Sequence, residues 1–480
     1  MPEADTGEIL ELLHDFPAVS TETWEAAIAK DLKGADYDKK LVWRTEEGIA
    51  VRPYYRRDAL AGLDHHTRTT PGLFPFVRGA GREWEIGQDA KPGPRAIRGD
   101  LLHEAGAHAV QELGYGIAAG VERLAELTES LPVETVASGI EFVFAAGPSY
   151  FLEIAKLRAA RLLWAQVVAA FGATDHNACR MRLHVRTPRR NKSAYDRYAN
   201  LLRVTTEALS AVVGGCDRLT VEPFGFDQHL ALNLQRLLKE ESHLDAVADP
   251  AGGSFYIEAL TDALAREAWK LLQQVEAEGG YSKALASGSI EKALAATRAM
   301  RAKAYSSRKR ALVGVNNYPN PAEKVPEAEA PAAEDGSPLP QVRVAEPFER
   351  IRSRTAEHAR VTGRYPKVLL LKRGDVKMSG ARSNFSLNFF GCAGFDIVES
   401  DEYKGTDADL VVLCSSDPEY LALAQEVCPL VKAPVIVAGN PKDQIEQLKA
   451  AGVQGFIHIF SDAVETLTQW QDKLGMRAIQ

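Results

Sequence analysis

The residues that could do chemistry are few, and they gather at expected strand ends. The stretch Gly374-Asp375-Val376-Lys377-Met378-Ser379-Gly380 follows the apolar run "KVLLL" and precedes an amphipathic pattern. Open α/β sheets hold ligands at such strand-to-helix turns, so this charged, glycine-bearing loop is a candidate binding loop. The basic run "RTPRRNK", residues 186–192, takes the same kind of position farther upstream. Its cations suit either a solvated loop or contact with the phosphates of a nucleotide-bearing ligand or a partner.

Other apparent motifs have the wrong spacing. His103 and His108 in "HEAGAH" lie five residues apart, about 140° around a helix, so they cannot share a metal as an i, i+4 pair does. "GYGIAAG", residues 114–120, mimics a dinucleotide fingerprint, yet the residues before it read as helix where that motif needs a strand. Its small residues are better suited to close helix packing. The adjacent His65 and His66 read as loop residues. Five dispersed cysteines without a C-x-x-C pair favour reduced thiols over a disulfide framework or a metal site. There is no Walker-type loop and no G-x-S-x-G.

These positions need elements to hold them. The 480 residues suffice for two or three domains, with an ordinary 45% hydrophobic and 25% charged composition. A net charge of −8 argues against general nucleic-acid or anionic-membrane binding. No apolar run is long enough to span a bilayer, and the acidic N-terminus does not resemble a signal peptide, so a cytoplasmic location is expected. Residues 320–347 are rich in Pro, Ala and Glu and read as a linker. After it, strand-like runs at 367–371, 396–399, 410–414, 434–438 and 455–459 alternate with helices, which implies a parallel doubly wound sheet. Before it, strands are expected at 140–144, 180–185, 218–222 and 312–316, with a weaker one near 96–97. The run "YFLEIAKLRAARLLWAQVVAAF" has a helical period, and Thr21 is placed to cap a short N-terminal helix that Gly34 ends.

Five stretches together resemble the methylmalonyl-CoA mutase family: "PGLFPFVRG", "EAGAHAVQEL", "FLEIAKLRAARLLWA", "DPAGGSFYIEALT" and "VGVNNY". They follow the family's order and span most of residues 71–319. "TWEAAIAKDLKG" and "LLRVTTEALSAVVGGCDRLTVEPF" look more like its small subunits than its catalytic ones. The resemblance implies an α/β protein with a (β/α)8 barrel for acyl-CoA, then a flavodoxin-like domain for cobalamin. In active members, adenosylcobalamin supplies the radical that interconverts methylmalonyl-CoA and succinyl-CoA.

Set against that family, three departures concern the chemistry. Cobalamin-binding members carry D-x-H-x-x-G, whose His ligates cobalt; here Asp375 and Gly380 remain but Lys377 replaces the His. A lysine ammonium has three donors and no lone pair, and Asp375 is expected to pair with it. Leu101 stands where the catalytic subunits place a histidine that hydrogen-bonds the thioester carbonyl, with His103 two residues away. Residues 80–103 are far too few for the family's several β/α units, so the barrel should be incomplete, with an open edge and exposed apolar surface that something covers. Ser415, Ser416 and Gly439 match the family's small residues around the nucleotide tail, whereas Asp417 and Asn440 depart from them. Ordinary turn chemistry also explains that set.

The expected organisation is an N-terminal extension for subunit contact (1–70), a shortened barrel (71–319), a flexible linker (320–360) and a degenerate cobalamin-binding-like domain (361–480). The reading is a non-catalytic small subunit in a heterodimer with the mutase large subunit, which would carry the adenosylcobalamin. Acyl-CoA contact by this chain would need the missing wall to be supplied elsewhere. The alternatives are an active cobalamin-dependent acyl-CoA mutase and a regulatory scaffold of the mutase system.

Overall fold

The computed structural model describes residues 15–81, 83–88, 92–93, 95–326, 337–405 and 407–477. Helix α1 (Thr21–Asp31) is capped by Ser20, one residue earlier than expected, because the Ser20 hydroxyl accepts from the Thr23 amide. No α1 residue is buried; Trp24 stacks on Tyr54 with ring centroids 4.5 Å apart.

Apart from a two-stranded antiparallel pair, Trp43–Arg44 with Ala50–Val51, there are two large sheets; the first has five strands: β1 (Glu85–Ile86), β2 (Ile97–Arg98), β3 (Glu141–Ala145), β4 (Arg182–Arg186) and β5 (Arg218–Thr220), in the order β1-β5-β4-β3-β2. Every pairing is parallel. Among the described residues no pairing joins β1 to β2, so the sheet is open and its two edges are consecutive in sequence. Both edge strands are two residues long, too short to template another strand.

Helices α2 (Gly99–Glu104), α3 (Ala109–Thr128), α4 (Tyr150–Ala170), α5 (Arg197–Val213), α6 (Phe255–Ala277) and α7 (Ser289–Ser306) accompany this sheet. The glycines of "GYGIAAG" lie on α3 and let it approach the sheet and α6. A Cβ on Gly120 would come within 2.5 Å of Phe142, one on Gly116 within 2.8 Å of Phe144, and one on Gly114 within 2.9 Å of Leu271. Phe142, Phe144, Leu183, Val185 and Leu219 join Trp164 of α4 in the main core.

By strand alternation the opposite face carries Arg98, Val143, His184, Arg186, Arg218 and Glu85. Its charges are paired: Arg98 with Asp100 at 2.8 Å, Arg186 with Glu222 at 2.5 Å, and Arg218 with Glu85 at 2.7 Å. The exposed apolar side chains expected of this region, among them Tyr198, Leu202 and Val247, therefore lie off this face of the sheet. That face is charged, and its partners lie within the chain. The expected strand at 312–316 is also absent, apart from one isolated bridge between Val313 and Asn317. The Asn316 side chain takes over the local backbone groups, accepting from Leu312 N at 2.6 Å and donating to the carbonyls of Tyr305 and Arg310.

The C-terminal sheet contains β6 (Lys367–Lys372), β7 (Asp396–Ser400), β8 (Leu410–Cys414), β9 (Val435–Ala438) and β10 (Val453–Ile457), all parallel, in the order β10-β9-β8-β6-β7. This is the flavodoxin-like order 2-1-3-4-5. Helix α8 (Glu346–Thr362) lies within the segment expected to be flexible, and its Phe348 and Ile351 are buried in the C-terminal core beside Leu312 and Val315. Helices α9 (Val376–Gly391), α10 (Tyr420–Val427) and α11 (Ala463–Lys473) cover the sheet. Strand β10 starts two residues before the expected position because Gly452, at φ +103, ends the preceding helix and leads directly into it. Among the described residues no helix is long and apolar enough to cross a membrane.

Candidate functional site

The C-terminal sheet brings Asp375, Lys377, Gly380, Ser415, Ser416 and Gly439 to its carboxyl edge, where open α/β sheets bind ligands. Asp375 does not pair with Lys377. It caps α9, its carboxylate accepting from the Met378 amide at 2.7 Å. Capping satisfies an amide that the helix itself cannot, and leaves Lys377 exposed in the first turn without a partner among the described residues. Gly380 lies within α9, and a Cβ there would meet nothing within 4 Å, so no close approach depends on it.

Glu419 fills the centre of the crevice. Its carboxylate lies 2.7 Å from the Ser415 hydroxyl and 2.5 Å from the Ser416 hydroxyl, and accepts from the amides of Ser416 and Asp375 at 3.2 Å. These donors, the Ser416 and Ser415 hydroxyls foremost, pull its pKa down to about 2. It also stands against Gly374, which at φ +73 carries no side chain to displace it. Tyr420 is fully buried behind it, donating to Ala438 O at 2.6 Å and accepting from the Ser415 amide at 3.2 Å. A Cβ on Gly439 would meet Tyr420 at 3.1 Å and Asp417 at 3.4 Å, and Asp417 pairs with Arg382 at 3.1 Å. The small residues that would line a nucleotide tail thus line Glu419, Tyr420 and Asp417 instead. With an exposed ammonium, which offers no lone pair, at the ligand position and the Glu419 carboxylate bonded across both loops, these residues do not fit cobalamin. Sequence reasoning missed Glu419 and Tyr420; the signal was Ser416 three residues before Glu419, a capping box that the structure contains.

The carboxyl end of the first sheet is likewise filled by the chain's own groups. Leu101 is half-buried on α2 and offers no side-chain donor. His103 is buried, and its Nδ1 lies 2.9 Å from Glu112, which also accepts from the Ala145 amide and the Lys156 ammonium, each at 2.7 Å. Lys156 further contacts Ala145 O at 2.7 Å and Glu153 at 2.5 Å. Burial opposes ionisation of this pair, but mutual attraction wins: Lys156 and His103 hold the Glu112 carboxyl low, and Glu112 and Glu153 hold the Lys156 ammonium high. His108 has a separate task, capping α3 in a reciprocal box with Gln111. Among the described residues no group of three His, Cys, Asp or Glu side chains could hold a metal.

The run 186–192 is not a solvated loop. Thr187, Arg190, Asn191 and Lys192 are buried, and Lys192 reaches Glu207 at 2.7 Å. Nor does His66 sit in a loop: it is buried within a short helix, Asp64–Thr67. Residues 337–345 then cross this end of the sheet as a strap. Leu339 enters the main core, Val344 N donates to Arg190 O at 2.8 Å, Arg190 returns a bond to Val342 O at 2.9 Å, and Arg343 is held by Glu349 at 2.7 Å. The carboxyl end of the strands is where barrel enzymes place substrate; here a strap and buried ion pairs take that space.

A family model described as methylmalonyl-CoA mutase matches residues 83–359. A methylmalonyl-CoA mutase small subunit of Porphyromonas gingivalis is 32% identical over 617 aligned positions, covering 97% of this chain and 99% of that protein. Those positions outnumber the 480 residues here, the excess being gaps in this chain. Small subunits of Streptomyces virginiae and Propionibacterium freudenreichii are 38% and 33% identical over 80% of this chain, which spans 65% and 64% of their lengths.

Proposed function

Because this chain belongs to the methylmalonyl-CoA mutase family, we propose that it is the small, non-catalytic subunit of a two-chain, cytoplasmic mutase. Its partner is a large subunit that carries adenosylcobalamin and interconverts methylmalonyl-CoA and succinyl-CoA, the cofactor supplying the radical chemistry. The observation that carries this reading is the C-terminal crevice. Lys377 occupies the cobalt-ligand position as an exposed cation, and Glu419 and Tyr420 fill the space behind it. The first sheet supports the same reading as a shortened barrel of five strands, with Leu101 at the expected histidine position and a strap over the mouth.

In this reading the chain's own residues maintain a surface instead of a reaction centre. The N-terminal extension, residues 1–70, contacts the large subunit: Phe16, Val19, Trp24 and Trp43 are exposed there without a core of their own. Co-expression with a full-length large subunit is expected to yield a stable 1:1 heterodimer. Two chains that elute separately at every salt concentration would overturn the proposal.

A further inference from the structure

Between the two sheets lies a cleft of about 650 Å³, walled by α7, the strap and α11. Its volume falls in the range of small-molecule sites, which favour domain interfaces and apolar walls with a few polar anchors. Ala302, Val344, Phe348 and Val464 supply the apolar wall, while Arg190, Arg298, Arg301 and Lys303 supply cations.

The acids that line or flank the cleft have partners, Glu465 accepting from the Gln469 side-chain amide at 3.2 Å. Glu291 is taken by Arg298, and Glu46 by Arg301. Asp462 accepts from the Ser306 hydroxyl and caps α11. Two cations are left without a carboxylate. Buried Arg190 donates only to the carbonyls of Glu104 and Val342, and Lys303 has no partner among the described residues. Burial, with Arg301 next in effect, pushes the Arg190 guanidinium down to about 10, so an anion brought beside it would gain a charge-assisted bond that no side chain supplies. Apolar walls beside cations that lack a carboxylate suit an amphiphilic anion, of which a chain of methylenes ending in a carboxylate is the simplest.

We propose that this cleft binds a straight-chain carboxylate, its chain against Ala302, Val344, Phe348 and Val464 and its head group at Arg190 and Lys303. This does not depend on the absence of cobalamin from the chain.

Calorimetric titration of the full-length protein with hexanoate, octanoate and decanoate tests it. Saturable 1:1 binding is expected, tightening up to about fourfold per added methylene, from roughly 0.8 kcal/mol per buried CH₂. Decanol should bind at least tenfold more weakly than decanoate. Ala302 is exposed on α7 and Thr468 faces the cleft from α11, so Ala302→Trp and Thr468→Phe fill it from opposite walls without entering a core. Each should weaken decanoate at least tenfold while keeping the thermal midpoint; Lys303→Gln should weaken it about threefold. Absence of saturable binding below the micellar concentration, equal binding of decanol, or unchanged decanoate affinity in both folded filling variants would overturn the proposal.

Discussion

The two sheets close their ligand ends by different means. The C-terminal sheet keeps a complete five-stranded parallel order, and its crevice is occupied by single side chains, chiefly Glu419 and Tyr420. The first sheet is open, with two consecutive strands as its edges, and its end is closed by a strap and a buried charge network around Glu112 and Lys156. The difference teaches that closure by side chains leaves a fold's topology alone. An open sheet with two short edges is closed by backbone and by buried, paired charges. The face of the first sheet opposite the main core makes the same point: it carries paired charges, where a closed barrel fills its interior with layers of Val, Ile and Leu.

If the first sheet depends on its buried charges, Lys156→Met should have the largest effect. Removing one member leaves Glu112 and Glu153 buried without their cation, at a cost of about 3–5 kcal/mol. Hydrogen exchange should show protection falling in β3, β4 and α4 and holding in β6 and β8; equal loss in both sheets would erase the contrast.

Acid should separate the regions next. Burial first, then Arg186, pushes His184 down to about 3, so the folded imidazole stays neutral while the unfolded one takes up a proton near pH 6.5. Stability is then fully present above about pH 6.5 and falls toward pH 3, by about 2 kcal/mol at pH 5. In the C-terminal region, Glu419 is held to about 2, so its contribution persists above about pH 4.5 and disappears toward pH 2. Denaturant melts across pH in wild type and Glu419→Gln check this: the variant should lose acid sensitivity only in the lower window. The smallest effect belongs to Lys377→His. Exposed and unpaired, this position should change stability by no more than about 0.5 kcal/mol, and the variant should still fail to bind cobalamin because the crevice behind it is full. Spectral titration of the variant with cobalamin is the check.

Legibility in the sequence followed the range of the interactions. Helical period and small residues placed α3 and α4, and apolar runs placed β6, β8 and β9, because those patterns are local. The shortage of strands was visible as a missing stretch between two matched motifs. What stayed hidden depended on contacts across the fold. The run 186–192 reads as solvated until Glu207 and the strap are brought to it, 15 and more residues away in sequence. Asn316 ends a promising strand through a side chain that no apolar pattern records. Lys377 was legible as a substitution, but the filling of its crevice was not, since Glu419 meets Asp375 across 44 residues.

The most direct test of the central claim is the cobalamin content of the co-purified heterodimer, measured by absorbance against protein concentration after saturation with adenosylcobalamin. One cobalamin per pair of chains is the predicted result. Two per pair would contradict it, by placing a cofactor on this chain.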